Sequence, residues 1–346
     1  MRKTMGKPLA VAALAGSLVG LTGGAALADP PVVPNPGDIV GVGSQTTAPL
    51  FNQFSTDYNA SLTAAGDTTS PRLYSFDAVG TSPIVLKAGT PPVARPTGIP
   101  TGLAHLHAVP SSVDFVRMDR GRLPTDPLTD TFVALAKDAV SWAAKSGGHA
   151  PANLTTAQLK DIYTCVRTNW AQIDPSLPNA TIKPYLPQTG SGLRDFFLKT
   201  IGGGTPVVPG ACVTTGVQEN QGTDPVLNDD DVLVPYSVGH YVGQFYYGRS
   251  TGSDAPGALT VRAIDGIASV NTVNQSINAP FAATAWGRVL YTVVRAADWA
   301  ATDARGTALR RIFGITGWIC KSATAAADFK SHGFLGLPVN ACGTTS

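Results

Sequence analysis

The sequence predicts an α/β fold. Two observations carry that expectation: two glycine–hydroxyl loops, each set between a short apolar strand and a helix, and a succession of short strands interleaved with amphipathic helices. The first loop is Gly41-Val42-Gly43-Ser44-Gln45-Thr46-Thr47-Ala48-Pro49-Leu50-Phe51, the second Pro187-Gln188-Thr189-Gly190-Ser191-Gly192-Leu193-Arg194-Asp195-Phe196-Phe197. Each reads as a tight turn feeding a helix N-terminus. Such an end presents unpaired N–H groups and partial positive charge, so it suits an oxyanion.

Residues 1–28 read as an export signal. Arg2, Lys3 and Lys7 form a charged start, Leu9 to Leu21 an apolar stretch, and Ala26-Leu27-Ala28 a small-x-small cleavage site. The mature chain is then expected to begin at Asp29 and to be secreted or held at the cell surface. No cysteine stands near the cut for a lipid anchor, and no second apolar run is long enough to span a bilayer. Residues 29–37 form an extended proline-rich leader.

Asp38 to Val42 reads as a buried strand. Thr46 or Thr47 can cap the next helix, Pro49 fits its first turn, and Leu50, Phe51, Phe54 and Tyr58 recur at helical spacing. Leu73 to Thr81 is the next strand and its exit turn. Residues 88–102, rich in Pro and Gly, are expected to be a surface loop. Val113 to Asp119 is a strand ending in a polar turn, and Phe132 to Trp142 is expected to start as a strand and turn helical.

Leu154 to Tyr163 opens an amphipathic helix capped by Thr155, with Leu159, Ile162, Tyr163 and Val166 on its apolar stripe. Thr181 to Leu186 is a strand running into the second loop. Phe196, Phe197, Leu198 and Ile201 line the helix that follows. Val232 to Phe245 and Val289 to Trp299 are two further apolar segments. No internal repeat is visible.

Lys plus Arg number 25 and Asp plus Glu 23, so the chain is close to neutral and nucleic acid is not an expected partner. Glu219 is the only glutamate. Within Val217 to Gly222 it is read as part of a solvated loop, with approach to the cleft as the other reading. The four cysteines, Cys165, Cys212, Cys320 and Cys342, allow three pairings; Cys165–Cys212 and Cys320–Cys342 are expected, each closing a modest loop.

No CxxC pair, zinc site or cofactor signature is present. His105 and His107 read as loop histidines rather than ligands, and His149, His240 and His332 carry no signal. There is no G-x-S-x-G elbow and no H-E-x-x-H, and Ser191 has no evident histidine partner, so an enzyme is not expected.

In their order along the chain these segments resemble the phosphate-binding components of bacterial ABC transporters. Gly41 to Phe51 is similar to that family's opening Gly-Ala-Gly-Ala-Thr-Phe-Pro-Ala-Pro-Leu-Tyr. Asp114-Phe115-Val116-Arg117-Met118-Asp119 is similar to its Asp-Phe-Gly-Ala-Ser-Asp. Leu154 to Tyr163 with Asn169-Trp170-Ala171-Gln172-Ile173 resembles its helix and Asn-Trp-x-x-Ile. Gly190-Ser191-Gly192-Leu193 resembles its Gly-Ser-Gly-Thr, and Gly333 to Pro338 its closing Gly-(Phe/Tyr)-x-x-Leu-Pro.

The resemblance implies a two-lobed type II periplasmic-binding-protein fold with two crossover hinge segments. Lobe I would comprise residues 38–131 plus 286–346, and lobe II residues 132–285. It implies anion contacts from Gln45, Thr46, Thr81, Asp119, Ser191, Gly192 and Leu193. Pro187 stands where the family has its phosphate-pairing arginine, Thr189 where it has aspartate, Leu193 where it has threonine, and Gln45 likewise. Arg194, Arg117 and Arg120 are the candidates for the missing cation.

Asp119 opposite an anion is normally repulsive, but it can accept a hydrogen bond from an oxyanion that keeps a proton, as phosphate and arsenate do and sulfate does not. The expected function is a monomeric, exported solute-binding protein for phosphate or a related oxyanion, serving an ABC permease. The alternative is a secreted structural or scavenging protein that kept the fold and altered or lost phosphate binding.

Overall fold

The structure, a computed structural model, describes residues 29–346. The proposed export signal lies outside the described residues. The leader is docked rather than free: Asp29 pairs with Arg95 at 2.6 Å, and the Pro34 carbonyl accepts from the Ala88 N–H at 2.8 Å.

Strand β1 (Ile39–Gly43) is buried throughout and leads into α1 (Ala48–Ala64), which has Pro49 in its first turn and buries Leu50, Phe51, Phe54, Tyr58 and Leu62. Then come β2 (Leu73–Ser75), α2 (Gly98–His107) and β3 (Phe115–Met118). The Pro/Gly-rich stretch thus ends as a helix at Gly98, earlier than expected. Gly98 turns the chain at φ +81°, and Ile99 and Leu106 find the core. His105 and His107 therefore sit in the last turn of α2, where His107 Nε2 meets Asp130 Oδ1 at 2.8 Å.

Next is β4 (Asp130–Lys145), a strand along its whole length and not the expected strand-to-helix segment. Nearly every side chain on it is buried, so the sequence shows no alternation to distinguish it from a buried helix. β5 (Asn153–Leu154) precedes α3 (Thr156–Tyr163), whose capping box joins the Thr155 hydroxyl and the Gln158 side chain reciprocally. β6 (Lys183–Pro187), α4 (Gly192–Ile201), β7 (Thr214–Val217), β8 (Val232–Ser237) and α5 (Val238–Tyr247) follow.

Four short strands, β9 (Leu259–Val261), β10 (Ala263–Ile264), β11 (Val270–Asn271) and β12 (Ser276–Ile277), lead through α6 (Ala279–Ala282) to the long β13 (Gly287–Arg295). Helices α7 (Ala296–Ala300), α8 (Ala304–Phe313), α9 (Trp318–Lys321) and α10 (Ala323–Ser331) and strand β14 (Leu335–Gly336) close the chain.

The principal sheet runs β2-β1-β3-β13-β4-β8-β6-β7. Its outer strands pair in parallel, β2 with β1 with β3 on one side and β8 with β6 with β7 on the other. The long strands β13 and β4 are antiparallel and join the two halves. The fold is mixed α/β with two lobes.

The apolar packing divides the same way. On β4, Val133, Leu135 and Ala136 pack with α1, α8 and α10, whereas Ala139, Val140, Trp142 and Ala144 pack with α3, α4 and α5. A further cluster, with Phe132, Ile99 and Leu106, covers the other face of β1 and β3. Disulfides join Cys165 to Cys212 and Cys320 to Cys342. Among the described residues no helix is long and apolar enough to cross a membrane, and no cluster of three metal-ligating side chains occurs.

Candidate functional site

The first loop leaves β1 through Gly43, whose φ is +124° and where a Cβ would lie 2.5 Å from the Arg117 carbonyl oxygen. Only glycine fits there. Arg117 is fully buried beneath the loop. Its guanidinium donates to the carbonyls of Ser44 (3.1 Å) and Gly43 (3.3 Å) and to Ser75 Oγ (2.6 Å). Burial pulls its pKa down to about 10, opposed by Asp77. Arg117 therefore spends its donors holding the loop in shape.

The second loop ends at Ser191, the N-cap of α4, whose Oγ accepts from the Arg194 N–H at 3.1 Å. Gly192 is pressed against Asp119 at the end of β3: a Cβ at 192 would sit 1.9 Å from Asp119 Oδ1. That oxygen is buried and has no hydrogen-bond partner among the described residues, while Oδ2 accepts from Arg288 Nη1 at 3.1 Å.

The two loops meet on one carboxylate. Glu219 is 2% exposed. Ser191 Oγ donates to its Oε2 in a short bond, and Thr46 Oγ1 donates to its Oε1 at 3.4 Å. This overturns the solvated-loop expectation for Glu219. The next residue, Asn220, is held by its own bonds. It adopts φ +60°, a conformation Asn tolerates better than most residues. Its Oδ1 accepts from the Ser237 N–H, and its carbonyl from Tyr236 Oη and Gln244 Nε2. Asn220 Nδ2 also reaches Thr46 Oγ1 at 3.4 Å.

Two more residues that carried no signal in the sequence complete the site. His240, in the first turn of α5, places Nδ1 2.8 Å from the Thr46 carbonyl and Nε2 2.6 Å from Asp254 Oδ1. Both nitrogens face acceptors, so the imidazolium is the form that satisfies both. Burial opposes its charge, but Asp254 and the Thr46 carbonyl outweigh this and push its pKa up to about 9.

Arg288 on β13 stands directly opposite Asp138 on β4. It donates through Nε to Asp138 Oδ2 at 3.0 Å, reaches Asp119 with Nη1, and lies over the Phe196 ring at 5.6 Å. Burial opposes its charge, but Asp119, Asp138 and Glu219 hold its pKa above the ordinary value. Glu219 is pushed up to about 7, by burial first and by the Asp119 charge second, against the Ser191 bond, Arg288 and His240.

The structure therefore brings Thr46, Asp119, Ser191 and Gly192 together, with Leu193 next in the first turn of α4, and leaves Gln45, Thr81 and Arg194 elsewhere. The Leu193 side chain is buried in the apolar core beneath α4, so only its backbone N–H is a candidate for the anion. Arg194 donates to the Pro187 carbonyl at 2.9 Å. Thr81 is exposed, its carbonyl accepting from Arg95 Nε at 2.8 Å. Gln45 faces a cavity of about 470 Å³ beside the site, shared with Asn52, Asp77, Gln218, Gln221 and Asp254. Arg120 is paired with Asp126. The arginine of the site is Arg288, which is none of the three arginines nominated from sequence. Its only sequence signal is its position beside Trp286-Gly287, at the start of an apolar segment.

A family model described as the PBP superfamily domain matches residues 30–236. The chain belongs to this superfamily. The ordered motifs that carried the resemblance lie largely within the matched span.

Among solved structures, a Clostridium perfringens chain described as a phosphate ABC transporter substrate-binding protein, with bound phosphate, aligns at a TM-score of 0.57 and 15% identity. It covers 87% of this chain and 100% of its own. An ABC-type phosphate transport receptor from Vibrio cholerae aligns at 0.56 and 16%, again over 87% and 100%. A phosphate binding protein from Stenotrophomonas maltophilia aligns at 0.51 and 13%, over 87% and 91%. At these identities the likeness is one of fold. No curated protein matches the sequence.

Proposed function

We propose that this is an exported solute-binding protein that captures phosphate, or a close oxyanion relative, between its lobes and delivers it to an ABC-type permease. The observation that carries the reading is the convergence of the Thr46 and Ser191 hydroxyls, one from each loop, on the two oxygens of one carboxylate. A site that accommodates a tethered carboxylate has donors spaced for an oxyanion. Superfamily membership, and the phosphate proteins among the fold's neighbours, support the same ligand class. Those neighbours are binding proteins, and this chain is read as one too, without a catalytic role. The two disulfides suit an oxidising compartment outside the cytoplasm.

One observation favours the second reading, a secreted protein with altered or lost phosphate binding. Pro187 replaces the expected arginine, and the cation that is present, Arg288, is already engaged by Asp119 and Asp138.

Calorimetry on residues 29–346 with phosphate, arsenate and sulfate separates the two. The proposed function expects binding of phosphate and arsenate, with Ser191→Ala weakening phosphate by about tenfold or more through loss of a charge-assisted hydrogen bond. No heat from any of the three anions between pH 5 and 9 removes it in favour of the second reading.

A further inference from the structure

We propose that Glu219 is a built-in competitor for the anion site, and that an anion enters only when the Glu219 carboxylate gives up the loop hydroxyls by taking a proton. This rests on the oxyanion reading above and adds the control of that site.

The argument starts from proton counting. Each hydroxyl carries one hydrogen. In the structure, the hydrogens of Ser191 Oγ and Thr46 Oγ1 are both directed to Glu219. An oxyanion that uses the same two donors cannot do so while ionised Glu219 holds them. Two negative groups sharing that buried volume would also repel at short range, with Asp119 already adjacent.

Protonation reverses both effects. A neutral Glu219 can donate its own hydrogen to Ser191 Oγ, which frees the serine hydrogen for the ligand, and one negative charge leaves the site. The proton comes from solvent, so no other reactant is needed.

Three further features mark Glu219 as built for this place rather than lodged there. It is the only glutamate of the chain. The adjacent Asn220 has a left-handed backbone and is tied down by bonds from Ser237, Tyr236 and Gln244. The charged groups facing it come from each packed element: Asp119 from the end of β3, Arg288 from β13 and His240 from α5. Burial first, and then the balance of these charges, leaves the carboxyl titrating near neutral pH, at about 7.

The test is phosphate calorimetry from pH 7 to 9 on the wild type and on Glu219→Gln, in buffers of different ionisation enthalpy. The expected result is uptake of nearly one proton per phosphate by the wild type at pH 8, absent in the variant. The ratio of variant to wild-type affinity should rise by about tenfold per pH unit above 7. Taking the ratio cancels what His240 contributes in the same range.

Infrared difference spectra of the wild type alone, before and after phosphate at pH 8, provide a readout independent of how the variant folds. A new protonated-carboxyl band is expected. Wild-type affinity in Glu219→Gln with no proton uptake and no new band overturns the competitor role and leaves the oxyanion reading standing, as does weaker binding by the variant. Absence of binding by either protein to phosphate, arsenate or sulfate removes the oxyanion reading, and the competitor role with it.

Discussion

Asp119 shows how much one oxygen atom decides. Its Oδ2 is held by Arg288, while Oδ1 is buried at the start of α4 without a partner. A buried acceptor left unsatisfied is costly, so this oxygen favours a ligand that brings a hydrogen to it. Phosphate at neutral pH carries one; sulfate does not. Replacing Asp119 with Asn removes the pure acceptor and adds a donor. Phosphate binding is expected to weaken by about tenfold relative to sulfate. Competition calorimetry with both anions measures the ratio, and an unchanged ratio means Asp119 does not sense a ligand proton. Asp119 was legible in the sequence because it ends a strand in a motif-like run. Glu219 was visible only as a compositional oddity. Its role depends on long-range bonds to Thr46 and Ser191 that no local pattern announces.

At the scale of elements, the site is set by strand ends and helix starts. β1 and β6 deliver the two loops, β3 delivers Asp119, and α4 and α5 bring Ser191 and His240 in their first turns. Between them, β13 and β4 run side by side through both lobes, and the Arg288–Asp138 pair lies where the core of one lobe gives way to that of the other.

Both aspartates paired with Arg288 are fully buried. Truncating Arg288 to Met should therefore leave two unpaired buried carboxylates, at a cost of about 3–5 kcal/mol. Urea unfolding would measure it. A loss below about 1 kcal/mol would place the pair among weak surface-type interactions instead.

The helices with apolar stripes, α1 and α3, were readable from spacing alone; α3 has its expected cap, whereas Thr47 at the start of α1 makes no side-chain cap bond. Strand β4 was not, because it is covered on both faces and has neighbours along both edges. α2 was hidden by the Pro/Gly content of the loop before it, which masked a helix that starts on Gly98.

The two lobes are joined by charge as well as by backbone. His240 on α5 holds the carbonyl of Thr46 in the other lobe, with Asp254 behind it. Its pKa, at about 9, lies above the ordinary 6.5. The folded state therefore binds this proton more tightly than the unfolded chain does. The stabilisation is fully present below pH 6.5 and is lost as pH rises through 9.

Glu219 and Asp328, both at about 7, have lost their contribution by the time pH passes 7. The fall between pH 7 and 9 is thus expected to belong mainly to His240. Thermal unfolding of the unliganded protein should show a melting temperature that declines across that window in the wild type and is flatter in His240→Gln. A parallel decline in both would assign the effect to other groups.

By itself the sequence determined the α/β character, the two loops with their glycines and hydroxyls, the strand and helix around each, and the order of motifs that points to a two-lobed binding fold. All but the last follow from local rules, namely helix spacing, capping chemistry and the backbone needs of tight turns; the two-lobed fold is what the family resemblance implies. Only the tertiary structure decided what fills the site. It placed Arg288 rather than Arg117, Arg120 or Arg194 beside Asp119, moved Thr81 and Arg194 away, and set Glu219 between Thr46 and Ser191. The physical reason is that burial and partnership are pairwise properties of residues distant in the chain. Thr46 and Glu219 are separated by 173 positions in sequence, and no local signature announces a bond that exists only once both lobes have folded.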